Sequence, residues 1–269
     1  MRSRYLGITL SLVLNVCSWG LPLVAHAQDG DSSVQKHSRA VDISNIANPQ
    51  VKIRVPRQGL PGRREAGTTR RMGGACTFGN KRMMVLLLPT TNVGLTTSAY
   101  PQFFWYTPEN KAQNLKFSLY QVEQKTKKQT LLYQENIQPQ KTAGITSFTL
   151  PNDGKLAPLQ VNHTYQWSVT MVCNALDNSP KSNINVYGWV QRIAADKKVE
   201  SKIQGMTQRD RLTHFGDRGL WFDYLSTLAD LRSCNPTDSK VKQIWVETLQ
   251  TIDLKHIAEQ PLQQKCVAR

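Results

Sequence analysis

Hydrophobic and polar residues alternate most regularly over the stretch from residue 165 to residue 173. The even-numbered positions are polar except for one valine, and the odd-numbered positions hold Tyr165, Trp167, Val169, Met171 and Cys173. Successive side chains of a strand point to opposite faces, so this period of two predicts a strand with one face in the core. The other predicted strands are organised around this one.

Six further runs before residue 195 have the length and composition of strands and are separated by turn residues. They are Met83–Leu88, Gln102–Tyr106, Phe117–Val122, Leu131–Ile137, Gly144–Leu150 and Val186–Ile193. Seven short strands at this spacing are typical of an all-β sandwich, and we place that sandwich at residues 73–195.

A tyrosine near the start of the central strand refines this prediction. Tyr165 follows a turn-forming pair at residues 162–163, which resembles the tyrosine corner of immunoglobulin-like and fibronectin-like sandwiches. The rings of Trp105, Trp167 and Trp189 are expected in the core, because aromatic side chains bury large areas.

The period of the apolar residues changes to that of a helix after residue 196. Two groups have helical spacing: Trp221, Tyr224, Leu225, Leu228 and Leu231, then Val241, Ile244, Trp245, Leu249 and Ile252. The turn Cys234–Ser239 between them is short, so we expect an antiparallel helix pair, similar to one tetratricopeptide-like hairpin. The predicted fold is therefore mostly β with a C-terminal α part, a small helical domain at residues 196–269.

The first 27 residues have the pattern of a signal peptide. Arg2 and Arg4 precede an apolar segment, Leu6–Val24, and Ala25-His26-Ala27 fits a cleavage site. The chain is therefore predicted to be exported to the periplasm or the extracellular space. No later apolar run reaches the ~18 residues that a membrane-spanning helix needs, so we expect no span in the mature chain.

Four cysteines follow the predicted signal peptide, which in an exported chain indicates disulfides. Three pairings of Cys76, Cys173, Cys234 and Cys266 are possible. We favour Cys76 with Cys173 and Cys234 with Cys266, which gives one bond to each predicted domain. Buried free thiols are the alternative.

Positive charge is concentrated in a segment without hydrophobic periodicity. After removal of Arg2 and Arg4 the chain has 34 − 2 = 32 basic and 19 acidic residues. Residues 28–72 are rich in Gln, Ser, Pro, Gly and Arg, which predicts a basic, largely disordered arm. Its arginines could contact an acidic polysaccharide or an envelope protein, and the proposed contacts are Arg63, Arg64, Arg70 and Arg71. The alternative is a solvated linker.

Nucleic acid is not expected as a partner, because the chain is predicted to be exported. The arm also lacks the interleaved aromatic residues on which single-strand binders stack bases.

The aromatic run Phe103–Tyr106 offers a second candidate surface. Alternation sends two rings to each face, and Phe104 and Tyr106 share a face. If exposed, these two rings would form a platform for a sugar or a peptide. The alternative is that the C-terminal helices cover them, and Tyr187 and Trp189 present the same choice.

Signals of catalysis are weak. His163 lies in a turn, and His214 and Asp217 near Asp223 fit a surface or capping arrangement. The sequence contains no nucleophile elbow, phosphate-binding loop or Cys-x-x-Cys motif. We therefore assign no catalytic residue, no metal site and no cofactor.

Several motifs in order resemble one known family. They are Leu60–Arg71, Leu87–Pro89, Pro101–Pro108, Gly144–Pro151, Tyr165–Trp167, Gly188–Arg192 and Gly219–Leu225, together with Cys76 and Cys173. The chain resembles the cyanobacterial domain-of-unknown-function family 928 over about residues 60–262. The resemblance implies an exported cyanobacterial protein and brings no established activity. If the arm belongs to the family pattern, it could dock on the folded body instead of being disordered.

Two functions follow as expectations. The first is a non-catalytic interaction or scaffold protein of the cell envelope, which binds through its cationic arm. The second is an enzyme that acts on envelope glycans or peptides, with its site between the two domains. A sensor of small ligands is a third possibility and would need a closed apolar pocket.

Overall fold

The structure is a computed structural model. It describes residues 53–66, 76, 83–123, 125–173, 183–196, 201–203 and 205–266. The predicted signal peptide at residues 1–27 lies outside the described residues, as do residues 28–52 and 67–72 of the arm.

Eight strands are found in the described residues. They are β1 (Val85–Leu86), β2 (Val93–Thr96), β3 (Gln102–Thr107), β4 (Asn114–Val122), β5 (Gln129–Ile137), β6 (Gly144–Thr149), β7 (His163–Val172) and β8 (Ile184–Arg192). The predicted run Met83–Leu88 is a strand only at residues 85 and 86. Strand β2 was not among the strands predicted from the sequence.

The strands form two sheets. One has the order β1-β3-β6, and the other has the order β2-β8-β7-β4-β5. Neighbouring strands run antiparallel except β2 and β8, which run parallel. β7, the strand with the clearest alternation, lies at the centre of the five-stranded sheet.

Aromatic rings from both sheets pack against each other. Phe103 of β3 lies 5.1 Å from Phe117 of β4 and 4.7 Å from Trp167 of β7, measured between ring centroids. Phe148 of β6 lies 4.7 Å from Phe117. These contacts join the two sheets through the inward face that the alternation predicted for β7. Trp105 and Trp167 are fully buried as expected.

The C-terminal part is helical, which confirms the predicted mostly β fold with a C-terminal α part. It contains α1 (Gln208–Arg218), α2 (Trp221–Cys234), α3 (Ser239–Gln250) and a single 3-10 turn (Lys255–Ile257). Asp238 caps α3, because its Oδ1 accepts a hydrogen bond from Val241 N at 2.8 Å. Helix α1 was not among the helices predicted from the sequence. In the described residues, no helix combines the length and the apolar character needed to cross a bilayer.

Helix α2 packs directly on the sheets. The Trp221 Nε1 donates to the Leu87 carbonyl at 2.9 Å, and the ring of Phe222 lies 5.2 Å from that of Phe103. A Cβ at Gly94 of β2 would lie 2.7 Å from the Phe222 ring, so this close approach requires glycine. The helices make buried contacts with both sheets. The bounds predicted for the sandwich and for the helical domain stay a prediction.

Residues 53–66 of the arm, which we call the arm strap, are docked on the folded body. The strap pairs with both sheets, since Arg63 forms a bridge with Tyr187 of β8 and Glu65 forms one with Val85 of β1. Farther along the strap, Leu60 N donates to Thr91 O at 2.9 Å. Of the two alternatives for the arm, docking therefore describes these residues.

The end of the chain covers the opposite edge of the three-stranded sheet. Ile145 of β6 forms a parallel bridge with Leu262, and Gln263 N donates to Ile145 O at 2.8 Å. The disulfide Cys234–Cys266 then joins this segment to α2. The disulfide Cys76–Cys173 has its Cα atoms 4.9 Å apart, and both predicted pairings are confirmed.

We expect Gly219→Ala to lower the free energy of unfolding by about 1–2 kcal/mol or more, since Gly219 has a φ of +67°. A Cβ there would also lie 2.7 Å from the Arg54 carbonyl oxygen of the arm strap. Gly154→Ala is the matched control, because Gly154 has a φ of +87° with no atom near the added Cβ. Denaturant unfolding of both variants measures the difference. Equal losses would show that the strap does not contribute through this contact.

Candidate binding surface

The side chain of Arg63 is exposed, and its backbone is hydrogen bonded to β8. Its N–H donates to Tyr187 O at 3.1 Å, and Tyr187 N donates back to Arg63 O at 2.9 Å. Residues that face each other in an antiparallel bridge have side chains on the same face. Val186 and Gly188 are buried on either side of the half-buried Tyr187, so Arg63 and Tyr187 lie on the outer face of the five-stranded sheet.

Arg64 has a different role from the predicted one. Its Nη1 donates to Leu88 O at 3.1 Å and to Ile252 O at 2.8 Å, and its Nη2 lies 2.7 Å from the Glu65 carboxylate. Only 14% of its side chain is exposed. This guanidinium joins the arm strap to the end of the helical part, so its donors already have partners.

The remaining predicted binding residues do not form an accessible site in the described residues. Arg70 and Arg71 lie outside the part of the chain that the structure describes. Phe104 and Tyr106 are 1% and 2% exposed, so the exposed platform is wrong for these two rings. Gln102, two residues before Phe104 on the same face, hydrogen bonds to Ser226 of α2, as expected if the helical part covers this face.

Two further arginines of the arm strap are exposed. Arg54 N donates to Gly216 O at 3.0 Å, which fixes the backbone at the C-terminal end of α1, and Arg57 follows three residues later. The strap has four arginines against one glutamate, a net charge of 4 − 1 = +3. Within the described residues, no ion pair involves Arg54, Arg57 or Arg63. These three side chains form a cationic rim along the strap.

Two aromatic residues beside this rim were not assigned to it from the sequence. Trp189 is half-buried and not in the core, and its Nε1 donates to Pro61 O of the arm strap at 2.6 Å. Tyr187 is also half-buried and pairs with Arg63. The signal was present in the alternation of β8, which puts both rings on one face, but alternation does not tell which face the helices cover.

One cleft of about 200 Å³ lies between the sheets and the helices, and Arg211, Asp223 and Ser226 are among its lining residues. The Asp223 carboxylate accepts hydrogen bonds from Thr97 N at 3.2 Å and from Thr97 Oγ1 at 3.1 Å. Burial raises the pKa of Asp223, and the bonds from Thr96 and Thr97 oppose that rise. This carboxyl group connects α2 to the end of β2.

The two candidate histidines lie elsewhere. Burial and the nearby Arg218 lower the pKa of His214, whose Nδ1 is 2.9 Å from Arg218 Nη1, while Asp196 and Asp217 act in the opposite direction. The structure thus brings His214 near Asp217, whereas Asp223 bonds to Thr97.

A second cleft, of about 530 Å³, includes His163 and Glu123. The His163 Nδ1 lies 3.0 Å from Val161 O, and Glu123 accepts a hydrogen bond from the Thr126 hydroxyl at 2.5 Å. No hydrogen bond or ion pair joins His163 to Glu123 in the described part of the chain. Among the same described residues, no three His, Cys, Asp or Glu side chains cluster as metal ligands would.

The family comparison supports the resemblance found in the sequence. Residues 65–262, well over half of the chain, match the family model described as Domain of Unknown Function (DUF928). The chain belongs to the DUF928 family. The DUF928 match begins at Glu65 in the arm strap and includes both sheets and helices α1, α2 and α3. No curated protein and no solved structure matches the chain.

Proposed function

We propose that this DUF928 protein is an exported, non-catalytic interaction protein of the cell envelope that binds an acidic polymer or an acidic partner. Its two disulfides are typical of proteins of an oxidising compartment and support export. The predicted signal peptide supports it independently. The periplasm or the extracellular space is the proposed location.

The observation that carries this proposal is the cationic rim of the arm strap. Arg54, Arg57 and Arg63 are exposed, have no acidic partner among the described residues, and are attached to a backbone that is hydrogen bonded to the body. Charges on a fixed backbone lose less conformational freedom on binding than charges on a free segment. The strap therefore presents preorganised cations to a polyanion.

We further infer an immunoglobulin-like topology for the two sheets. The three-stranded sheet β1-β3-β6 and the five-stranded sheet β2-β8-β7-β4-β5 fit a Greek-key sandwich in which the first strand is split between both sheets. The Tyr165 hydroxyl accepts a hydrogen bond from Gln160 N at 2.8 Å, as in a tyrosine corner. For the helices, we likewise propose that α2 and α3 pair as in one tetratricopeptide-like hairpin.

Replacement of Arg54, Arg57 and Arg63 by serine is expected to weaken binding to an acidic envelope polysaccharide about tenfold, since three exposed charges contribute roughly 1–2 kcal/mol together. The measurement is retention of the full chain on immobilised polysaccharide over a series of NaCl concentrations. Wild-type retention should fall steeply with salt, because the contacts are exposed.

Serine replacements of Lys125, Lys240 and Lys265 provide a control of equal charge. These residues are exposed and lie outside the strap. Equal weakening by both triple variants would mean that only the net charge of the protein matters. That result would contradict a binding site on the arm strap.

An enzyme that acts on envelope glycans or peptides is the second candidate function. The raised pKa of Asp223 in a cleft between sheets and helices is the observation in its favour. The two bonds from Thr97 support a connecting role for this carboxyl group instead. Release of soluble fragments from peptidoglycan by the wild type, and its loss in Asp223→Asn, would favour the enzyme.

A further inference from the structure

The outer face of the five-stranded sheet has an unusual set of side chains. Its strands point apolar residues inward, where Phe117, Trp167 and Val186 have no exposed surface. The outward positions of the three middle strands are mostly polar or aromatic. We use the name polar face for Lys116, Ser118, Tyr120, Gln166, Ser168, Thr170, Asn185, Tyr187 and Trp189.

The strand register arranges these side chains in rows. Gln166 of β7 pairs with Tyr120 of β4 on one side and with Trp189 of β8 on the other. Neighbouring strands lie about 5 Å apart, so the two aromatic positions are separated by about 10 Å across the sheet. In the next row, Ser168 pairs with Ser118 and Tyr187. An amide and two hydroxyls therefore lie between rings on both sides.

The polar groups between the rings are almost fully buried. Gln166 and Ser168 are only 8% exposed and Ser118 only 1%, although all three point outward. Their larger neighbours therefore cover most of these three side chains. The half-buried residues of the polar face form its accessible part: Lys116, Tyr120, Thr170, Asn185, Tyr187 and Trp189. Hydrogen bonds fix some of the polar groups, since Gln129 Nε2 donates to Gln166 Oε1 at 2.6 Å and Asn185 Nδ2 donates to Thr170 Oγ1 at 2.7 Å.

The charge of the polar face has one sign. None of the outward positions of β4, β7 and β8 holds Asp or Glu. Lys116 lies on the face, and Arg63 lies beside Tyr187 at its margin. The ligand that complements this surface is an anion with many hydroxyl groups.

We propose that the polar face binds a chain of acidic sugars, of the uronic acid class, across the sheet between Tyr120 and the rings of Tyr187 and Trp189. A sugar ring packs its C–H face on an aromatic ring, its hydroxyls hydrogen bond to the half-buried Thr170 and Asn185, and its carboxylates pair with Arg63 and Lys116. This site deepens the proposed function and rests on it. A protein partner would favour a broad apolar patch, whereas the outward aliphatic residues of the three middle strands, Val122 and Val172, lie at the strand ends. On the flanking strands, Leu131 of β5 pairs with Tyr120 and is 49% exposed, and Val93 of β2 pairs with Trp189.

The test is a titration of the full chain with a hexasaccharide of galacturonic acid. Binding is measured by tryptophan fluorescence and by calorimetry. Tyr120→Ser should weaken binding about tenfold because it removes one stacking ring, whereas Tyr120→Phe should bind within about twofold of wild type because it keeps that ring. Tyr187→Ser is a second variant on the other side of the proposed site. Melting curves of each variant check that the fold is kept.

Four results would overturn the inference. Binding by Tyr120→Ser and Tyr187→Ser equal to that of wild type would assign recognition to the arginines alone and leave the proposed function standing. Equal binding of a hexaglutamate peptide would show recognition of charge without sugar. Equal binding of neutral cellohexaose would remove the acidic character of the ligand. Absence of any binding by wild type would remove the sugar site, and the salt series on envelope polysaccharide would then test the arginine rim separately.

Discussion

Replacement of Cys76 and Cys173 by alanine is expected to lower the free energy of unfolding by about 4–5 kcal/mol. The bond closes a loop with a sequence separation of 97 residues, and the chain-entropy model gives this value for such a loop. It joins Cys76, whose carbonyl accepts a hydrogen bond from Lys111 N, to the residue that follows β7. Loss of the bond removes the covalent link between Cys76 and the end of β7. Guanidinium unfolding at equilibrium measures the change.

Alanine at Cys234 and Cys266 is the comparison. That loop has a sequence separation of 32 residues, so the same model gives a smaller loss of about 3–4 kcal/mol. The order of the two effects is the informative result. A larger loss for the second pair would show that the folded-state contacts of the terminal segment on β6 outweigh the entropy of the unfolded chain.

Arg64→Met is expected to lower the free energy of unfolding by about 2–4 kcal/mol, because the carbonyls of Leu88 and Ile252 lose a donor and each unsatisfied buried group costs about 1–3 kcal/mol. Methionine keeps much of the apolar volume of the side chain, so the lost hydrogen bonds dominate. The measurement is urea unfolding at neutral pH. Hydrogen exchange at residues 53–66 should show the same loss locally, since Arg64 connects the arm strap to the helical part.

Arg63→Met is the matched control one residue away. Arg63 is exposed, and its fixed contacts with Tyr187 are made by the backbone, which the substitution keeps. Its stability should change by less than about 0.5 kcal/mol, as for most surface substitutions. Binding to acidic polysaccharide should weaken in Arg63→Met. An unchanged stability in Arg64→Met would mean that the guanidinium does not connect the strap to the body.

These predictions separate two roles for arginines that the sequence grouped together. Arg63 and Arg64 are neighbours in one basic segment, and charge alone gives no reason to treat them differently. The backbone bridges at Arg63 and Glu65 hold this segment extended, so successive side chains point to opposite sides. One arginine therefore reaches solvent beside Tyr187, and the next reaches the carbonyls of Leu88 and Ile252.

Patterns local to the chain determined a large part of this architecture. The alternation around Trp167 predicted the central strand, and the spacing of Trp221 and Trp245 with their neighbours predicted α2 and α3. An even number of cysteines in a chain expected to be exported predicted disulfides, and the favoured pairing, with one bond to each predicted domain, is the one found. The two periodic patterns each record that one face of one element is buried, which is a property of neighbouring residues in the sequence.

Short elements were not predictable in the same way. β2 has only four residues, so its own sequence shows little periodicity. Its partner is β8, a strand far along the chain with which it pairs in parallel. Helix α1 has Leu212, Phe215 and Gly216 as its buried residues, which is too small a set to stand out as an apolar stripe.

The tertiary structure alone decided which surfaces stay open. Phe104 and Tyr106 show the same alternation as Tyr187 and Trp189, yet the first pair is buried and the second is half-exposed. The docking of the arm strap depends likewise on hydrogen bonds to residues such as Tyr187, more than a hundred positions away. Sequence determined which residues share a face, because the strand period is local. Which face is covered depends on where distant helices and the strap pack, because burial of a face needs a partner that the local pattern does not specify.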